Sequence, residues 1–207
     1  MLLEKDPWNL VITGVGGQGN VLASQILGQI LVDKGYLVTI GETYGASQRG
    51  GSVMSHLRVS TRDQFSPIIP EGQADLVIGL EPIEVLRVMT QYGNPGTMAL
   101  INLRPVHPIE VIAGESRYPE VEEVLLKIKR LSSRIWILNA TEIALDMGDP
   151  IFSNMVMLGA LSALSLLPVD QEGFCSAAQK LMGSHRMQDN LLAFQKGKMA
   201  IKEYKNG

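Results

Sequence analysis

Gly14, Gly16 and Gly19 stand in G-x-G-x-x-G spacing within residues 10–20, LVITGVGGQGN. The apolar run Leu10-Val11-Ile12 precedes them, and Val21, Leu22, Ile26, Ile30 and Leu31 follow near helical spacing. A strand, a tight glycine turn and a helix in that order suit an anion. Glycines let the backbone approach a ligand closely, and a helix N-terminus presents N–H groups and positive dipole character to a phosphate. Gly14, Gly16, Gly17, Gln18 and Gly19 are therefore candidate cofactor-binding residues. A purely structural strand–helix turn is the alternative. Asn102 and Arg104, at the end of a later apolar run, are further candidates, because open α/β sheets gather ligand contacts at the carboxyl ends of their strands. Turn and capping duties compete with that role.

A second unusual segment covers residues 41–51, GETYGASQRGG, with four glycines and hardly an aliphatic side chain. Such a stretch reads as a functional loop, not as a core element. Glu42 follows Gly19 at about the distance at which a dinucleotide fold places its ribose-binding carboxylate. A nicotinamide-dependent dehydrogenase nevertheless lacks support. His56, His107 and His185 are scattered, and too little chain follows for a substrate domain. His56 reads as a partly exposed or hydrogen-bonded strand histidine, with a catalytic base as the lesser alternative. The G-x-S-x-G, H-E-x-x-H, Walker A and C-x-x-C patterns are missing. A ligand cradle without reaction machinery suggests a subunit whose chemistry another chain completes.

The periodicity predicts strands over residues 36–40, Ser52–Ser60 (half-buried), 74–80, 97–103 and 134–140. It predicts helices over Pro82–Tyr92, from Tyr118-Pro119 to about Leu131, and a short one opened by Thr141-Glu142. From Ile151 onward the pattern is helical in three segments separated by Pro168 and Gly183. Strands alternating with helices, then a helical tail, indicate a layered α/β fold in one domain, with its core over about 10–167 and a tail over 168–207.

Composition narrows the class of function. The 207 residues are 45% hydrophobic and 19% charged, with a net charge of −3 and no basic cluster suited to nucleic acid. The modest basic runs 127–134 and 196–205 read as solvated helix faces. Cys175 is the single cysteine, which excludes an internal disulfide and a four-cysteine zinc or iron–sulfur site; it reads as a buried helix residue. No metal site is expected. The run 151–167 is short for a membrane span and reads as a buried helix. With no secretory signal apparent, a cytoplasmic location is expected.

The segments GVGGQGNVLASQIL, GETYGASQRGGSVMSHLR, ADLVIGLEPIEVLR and FSNMVMLGAL occur in that order over about residues 11–167. Together they resemble the gamma-domain family of 2-oxoacid:ferredoxin oxidoreductases, most of all the small beta subunits of the indolepyruvate type. The resemblance implies a three-layer α/β/α fold with a mostly parallel, possibly mixed, sheet and a helical C-terminal region. It also implies a heteromeric, oxygen-sensitive enzyme that oxidatively decarboxylates a 2-oxoacid to an acyl-CoA and passes electrons to ferredoxin. Thiamine diphosphate, magnesium and iron–sulfur clusters are then expected on a large alpha subunit, with none held by this chain alone. The gamma domain would lie beside the coenzyme A channel. Gly14, Gly16, Gly17, Gln18 and Gly19 would receive a CoA phosphate, helped by Asn102 and Arg104. Glu42, Tyr44, Ser47, Gln48 and Arg49 would support the active site or dock onto the partner. Asn20 departs from the small or branched apolar residue expected after the last glycine. The alternatives are a scaffold subunit without ligand and, more distantly, a nicotinamide-binding oxidoreductase.

Overall fold

The apolar run ahead of the glycine turn forms β1 (Trp8–Val15), and all eight of its residues are buried. Side chains alternate across a strand, so this happens only where both faces are covered. The computed structural model describes residues 3, 5–45 and 51–204. After β1 come α1 (Asn20–Asp33), β2 (Leu37–Tyr44), β3 (Ser52–Ser60), β4 (Leu76–Gly79), α2 (Pro82–Tyr92), β5 (Met98–Asn102), α3 (Ile109–Ile112), α4 (Val121–Leu131) and β6 (Arg134–Leu138). The chain continues with α5 (Ala140–Asp146), a 3₁₀ turn (Pro150–Phe152), α6 (Ser153–Leu164), α7 (Gln171–Met182), α8 (Met187–Ala200) and β7 (Lys202–Glu203).

The strands form one sheet in the order β2-β3-β1-β4-β5-β6-β7. β4, β5 and β6 run parallel to β1, whereas β3 is antiparallel to both β1 and β2, and β7 is antiparallel to β6. The sheet is thus mixed. Leu10 and Ile12 point into a core shared with Ile26, Leu27 and Ile30 of α1 and with Met155, Leu158 and Leu161 of α6. Val11 points the other way, against Val85 and Val88 of α2 and Val124 and Ile128 of α4. Helices on both faces of the sheet make the expected three layers. The apolar run beginning at Ile151 is the buried helix α6, with residues 153–162 all buried. Among the described residues no helix is long and apolar enough to cross a membrane.

Four features differ from the sequence expectation. β2 begins one residue later than expected and extends to Tyr44, because β3 offers it a ladder through the pair Tyr44↔Val53. Residues 41–44 are therefore strand, not loop, and Gly41 is buried beneath Pro67. β3 is more buried than its alternation suggests, with residues 55–60 all buried. It lies between β2 and β1, an insertion that brings cover to both of its faces. The basic run near the C-terminus is not all helix, since Lys202 and Glu203 form a short edge strand on β6. Cys175 is partly buried on α7, not fully enclosed.

His56 shows what that burial means. It is 0% exposed, faces Tyr92 edge-on with ring centroids 5.0 Å apart, and neither ring nitrogen has a hydrogen-bond partner. It is neither partly exposed nor hydrogen-bonded, and no polar group lies within hydrogen-bond reach for it to act on as a base. Desolvation holds its pKa below the usual histidine value of 6.5.

Two outcomes follow from this packing. An unfolded chain binds a proton at His56 that the native chain resists. Stability should therefore be complete above pH ~6.5 and fall as the pH drops below that value. His56→Phe, which keeps the ring against Tyr92, should remove that part of the acid loss in melting curves recorded from pH 8 to 5. At the α6–α8 crossing, a Cβ on Gly159 would stand 1.8 Å from the carbonyl oxygen of Phe194, and one on Gly197 would stand 1.8 Å from that of Val156. Either Gly→Ala change should cost about 1–3 kcal/mol or more, read as a fall in melting temperature of ~2–4 °C per kcal/mol.

Candidate functional site

The chain leaves β1 toward β2 on one side of the sheet and reaches β4 on the other. The carboxyl end of β1 is thus where strand order reverses, the usual ligand position in open α/β sheets. The glycine turn sits there. Gly19 has φ 81°, a left-handed conformation that favours glycine, and a Cβ on it would lie 2.3 Å from Nδ2 of Asn154. That amide nitrogen donates to the Gly19 carbonyl at 3.2 Å, which joins the first turn of α6 to the first turn of α1. Among the described residues no side chain caps α1, and its first turn contains no acidic residue. Its leading N–H groups have no intrahelical acceptor, so they suit an anion.

The two segments that stand out in the sequence meet at this corner. The Gly16 N–H donates to the Gly51 carbonyl at 2.9 Å, and Nδ2 of Asn20 donates to the Val53 carbonyl at 3.0 Å. Asn20 is 3% exposed and its Oδ1 has no partner. The departure at position 20 therefore ties α1 to β3 and leaves the glycine turn in place. Gly16 and Gly17 are exposed, whereas Gly14 is buried at the end of β1.

Gln18 and Asn102 act from beneath this surface. Oε1 of Gln18 accepts the Val15 N–H at 2.7 Å, and its Nε2 donates to the Leu80 carbonyl at 3.1 Å. Asn102, 0% exposed, donates from Nδ2 to the same carbonyl at 3.0 Å and to Oγ1 of Thr141 at 2.9 Å. Its Oδ1 accepts the Thr141 N–H at 3.3 Å, one of the donors that α5 leaves unpaired at its start. Both side chains are occupied with backbone and hydroxyl partners. In this arrangement they position the turn and the start of α5: polar side chains taken out of water must be satisfied, and these are. Arg104, two residues beyond Asn102, is exposed.

Glu42 and Tyr44 lie on β2, with β3 between them and β1. Two strand spacings put them ~10 Å from β1, too far for Glu42 to serve as a ribose carboxylate at the glycine turn. The Tyr44 hydroxyl instead donates to the Glu42 carboxylate, which raises the phenol's pKa, and Tyr44 is 65% exposed. Ser47, Gln48 and Arg49 lie outside the described residues.

A buried carboxylate at the start of α2 stands next to Leu80. Glu81 is 2% exposed and caps α2 by accepting the Glu84 N–H at 2.9 Å. The same carboxylate accepts the Val106 N–H at 3.4 Å and the hydroxyl of Tyr118. Burial raises the Glu81 pKa, and its three donors pull against that shift. Tyr118 is shifted up, first by burial and then by Glu81. The His107 ring lies 5.2 Å from the Tyr118 ring. No motif marks this cluster, because its members come from separated turns. Asn154 left a fainter trace, as an amide within an apolar helix.

Comparison with known proteins accords with this geometry. The family model for pyruvate ferredoxin/flavodoxin oxidoreductase matches residues 9–200. The indolepyruvate oxidoreductase subunit IorB of Archaeoglobus fulgidus is 37% identical over 91% of this chain and 92% of its own length. The pyruvate oxidoreductase subunit PORC of Thermotoga maritima superposes with a TM-score of 0.72, at 21% identity over 97% of this chain and 100% of that one. The 2-oxoglutarate:ferredoxin oxidoreductase of Magnetococcus marinus, solved with 2-oxoglutarate, coenzyme A and succinyl-CoA bound, also gives 0.72 at 20% identity. It covers 95% of this chain but only 31% of that longer one. The chain belongs to the pyruvate ferredoxin/flavodoxin oxidoreductase family, as a small, IorB-like subunit of a 2-oxoacid:ferredoxin oxidoreductase.

Proposed function

We propose that this chain is the cluster-free small subunit of a cytoplasmic indolepyruvate or aryl-pyruvate:ferredoxin oxidoreductase, a single gamma-type domain that supplies one side of a coenzyme A site. The observation that carries this reading is the Gly16–Gly51 hydrogen bond, which joins the glycine turn to the second glycine-rich segment at the strand-order reversal. The CoA-bound Magnetococcus enzyme, which contains the same fold, supports the choice of ligand.

The residues fit a phosphate of the CoA nucleotide end. The Gly16 N–H is used by Gly51 and the Gln18 N–H by Val15. Among the described residues, the donors left are those of Gly17, Gly19 and the uncapped first turn of α1, with the exposed guanidinium of Arg104 as a bidentate partner. Gln18 and Asn102 hold the turn to β4 and α5, and Gly14 leaves room for the Gln18 side chain. Glu42, Tyr44, Ser47, Gln48 and Arg49 support the active site or the contact with the large subunit. When bound on that subunit, thiamine diphosphate with its magnesium supplies the decarboxylation chemistry, and iron–sulfur clusters carry the electrons to ferredoxin. The small chain binds, orients and shields.

A ligand-free scaffold is the second reading, favoured by the internal bonding of the Gln18 and Asn102 side chains. Steady-state kinetics of the assembled enzyme separate the two. Gly16→Val should raise the KM for CoA at least ~10-fold and leave kcat and the melting temperature close to wild type, the signature of lost ground-state binding. An unchanged KM favours the scaffold. Arg49→Ala in the same assay should lower turnover, and full turnover would remove Arg49 from the site.

A further inference from the structure

We propose that residues 104–119 form a docking arm that seats in an apolar cleft of the large subunit, with Ile109 and Ile112 as its anchors and Glu81 as the clamp that sets its position. The inference rests on the heteromeric reading above and adds the surface through which that assembly is made. Helix α3, at the middle of the arm, has four residues and no side-chain cap. So short a helix cannot sustain itself in water. Ile109 and Ile112 are three residues apart, so they share one side, and each is 71% exposed.

The arm is held from below. Its two ends return to one carboxylate, because Glu81 accepts both the Val106 N–H and the Tyr118 hydroxyl. A buried carboxylate is unfavourable unless its bonds are met. Here they fix a peptide segment that buries little of its own apolar surface. The arm emerges at the carboxyl end of β5, the edge that carries the glycine turn. A partner completing the proposed CoA site would pass over this edge. The occupant is the large subunit, not a second copy, for two reasons. The Archaeoglobus relative is itself a subunit, and in the Magnetococcus enzyme this fold is only 31% of a longer chain. Two branched side chains exposed on one side of a turn held at both ends gain by burial in an apolar cleft.

The test is capture of the full small chain by the tagged large subunit co-expressed from the same source. Ile109→Ser/Ile112→Ser should weaken capture on the order of 100-fold. Circular dichroism and the melting temperature of the free small chain should not change. Glu81→Gln leaves one acceptor oxygen for three donors and should weaken capture by about 10-fold. Leu192→Ser/Met199→Ser, an exposed apolar pair on α8, should leave capture intact. Undiminished capture of the isoleucine variant overturns the arm alone. So does a wild-type homodimer that this variant converts to monomer. A wild-type chain that captures no large subunit overturns the heteromeric reading as well.

Discussion

The Leu80 carbonyl is the point on which the carboxyl edge of the sheet depends. It accepts from Gln18 at the end of β1 and from Asn102 at the end of β5. Through Asn102 it also reaches the start of α5 at Thr141. One carbonyl thus fixes the relative positions of three strand ends and a helix start. Each participating amide is at least half-buried, so loss of a partner strands a polar group at about 1–3 kcal/mol, more than a single bond contributes when made. The glycine turn can remain thin and exposed because its shape is set from below.

The same economy recurs beside it. Glu81 follows Leu80 directly and fixes the entrance of α2 together with both ends of the following arm. Asn154 fixes α6 against Gly19, and Asn20 fixes α1 against β3. Four polar side chains, Gln18, Asn20, Asn102 and Asn154, hold a surface otherwise made of backbone. Such a surface suits a shared ligand site: it offers donors and little bulk, and leaves shape and selectivity to a neighbouring chain.

Much of this was legible in the sequence where the signal was local. G-x-G-x-x-G after an apolar run located the strand, turn and helix. Proline at the first helical position located Pro82–Tyr92 to the residue. What was not legible depended on long-range pairing. Nothing in Ser52–Ser60 reveals that β3 inserts between β2 and β1, and that insertion buries His56 and carries Glu42 away from the glycine turn. Asn102 at a strand end looks the same whether it faces a ligand or a carbonyl 22 residues away. The Glu81–Tyr118 contact spans 37 residues without a motif. The resemblance of whole segments to one family supplied the quaternary context that no single spacing contains.

The central claim is that this corner is one part of a CoA site completed by another chain. Calorimetric titration of CoA into the isolated chain and into the complex with its large subunit tests it most directly. The account predicts saturable binding by the complex and none by the isolated chain, with ADP competing for the complex. Binding by neither form, or binding of NAD in place of CoA, would contradict it.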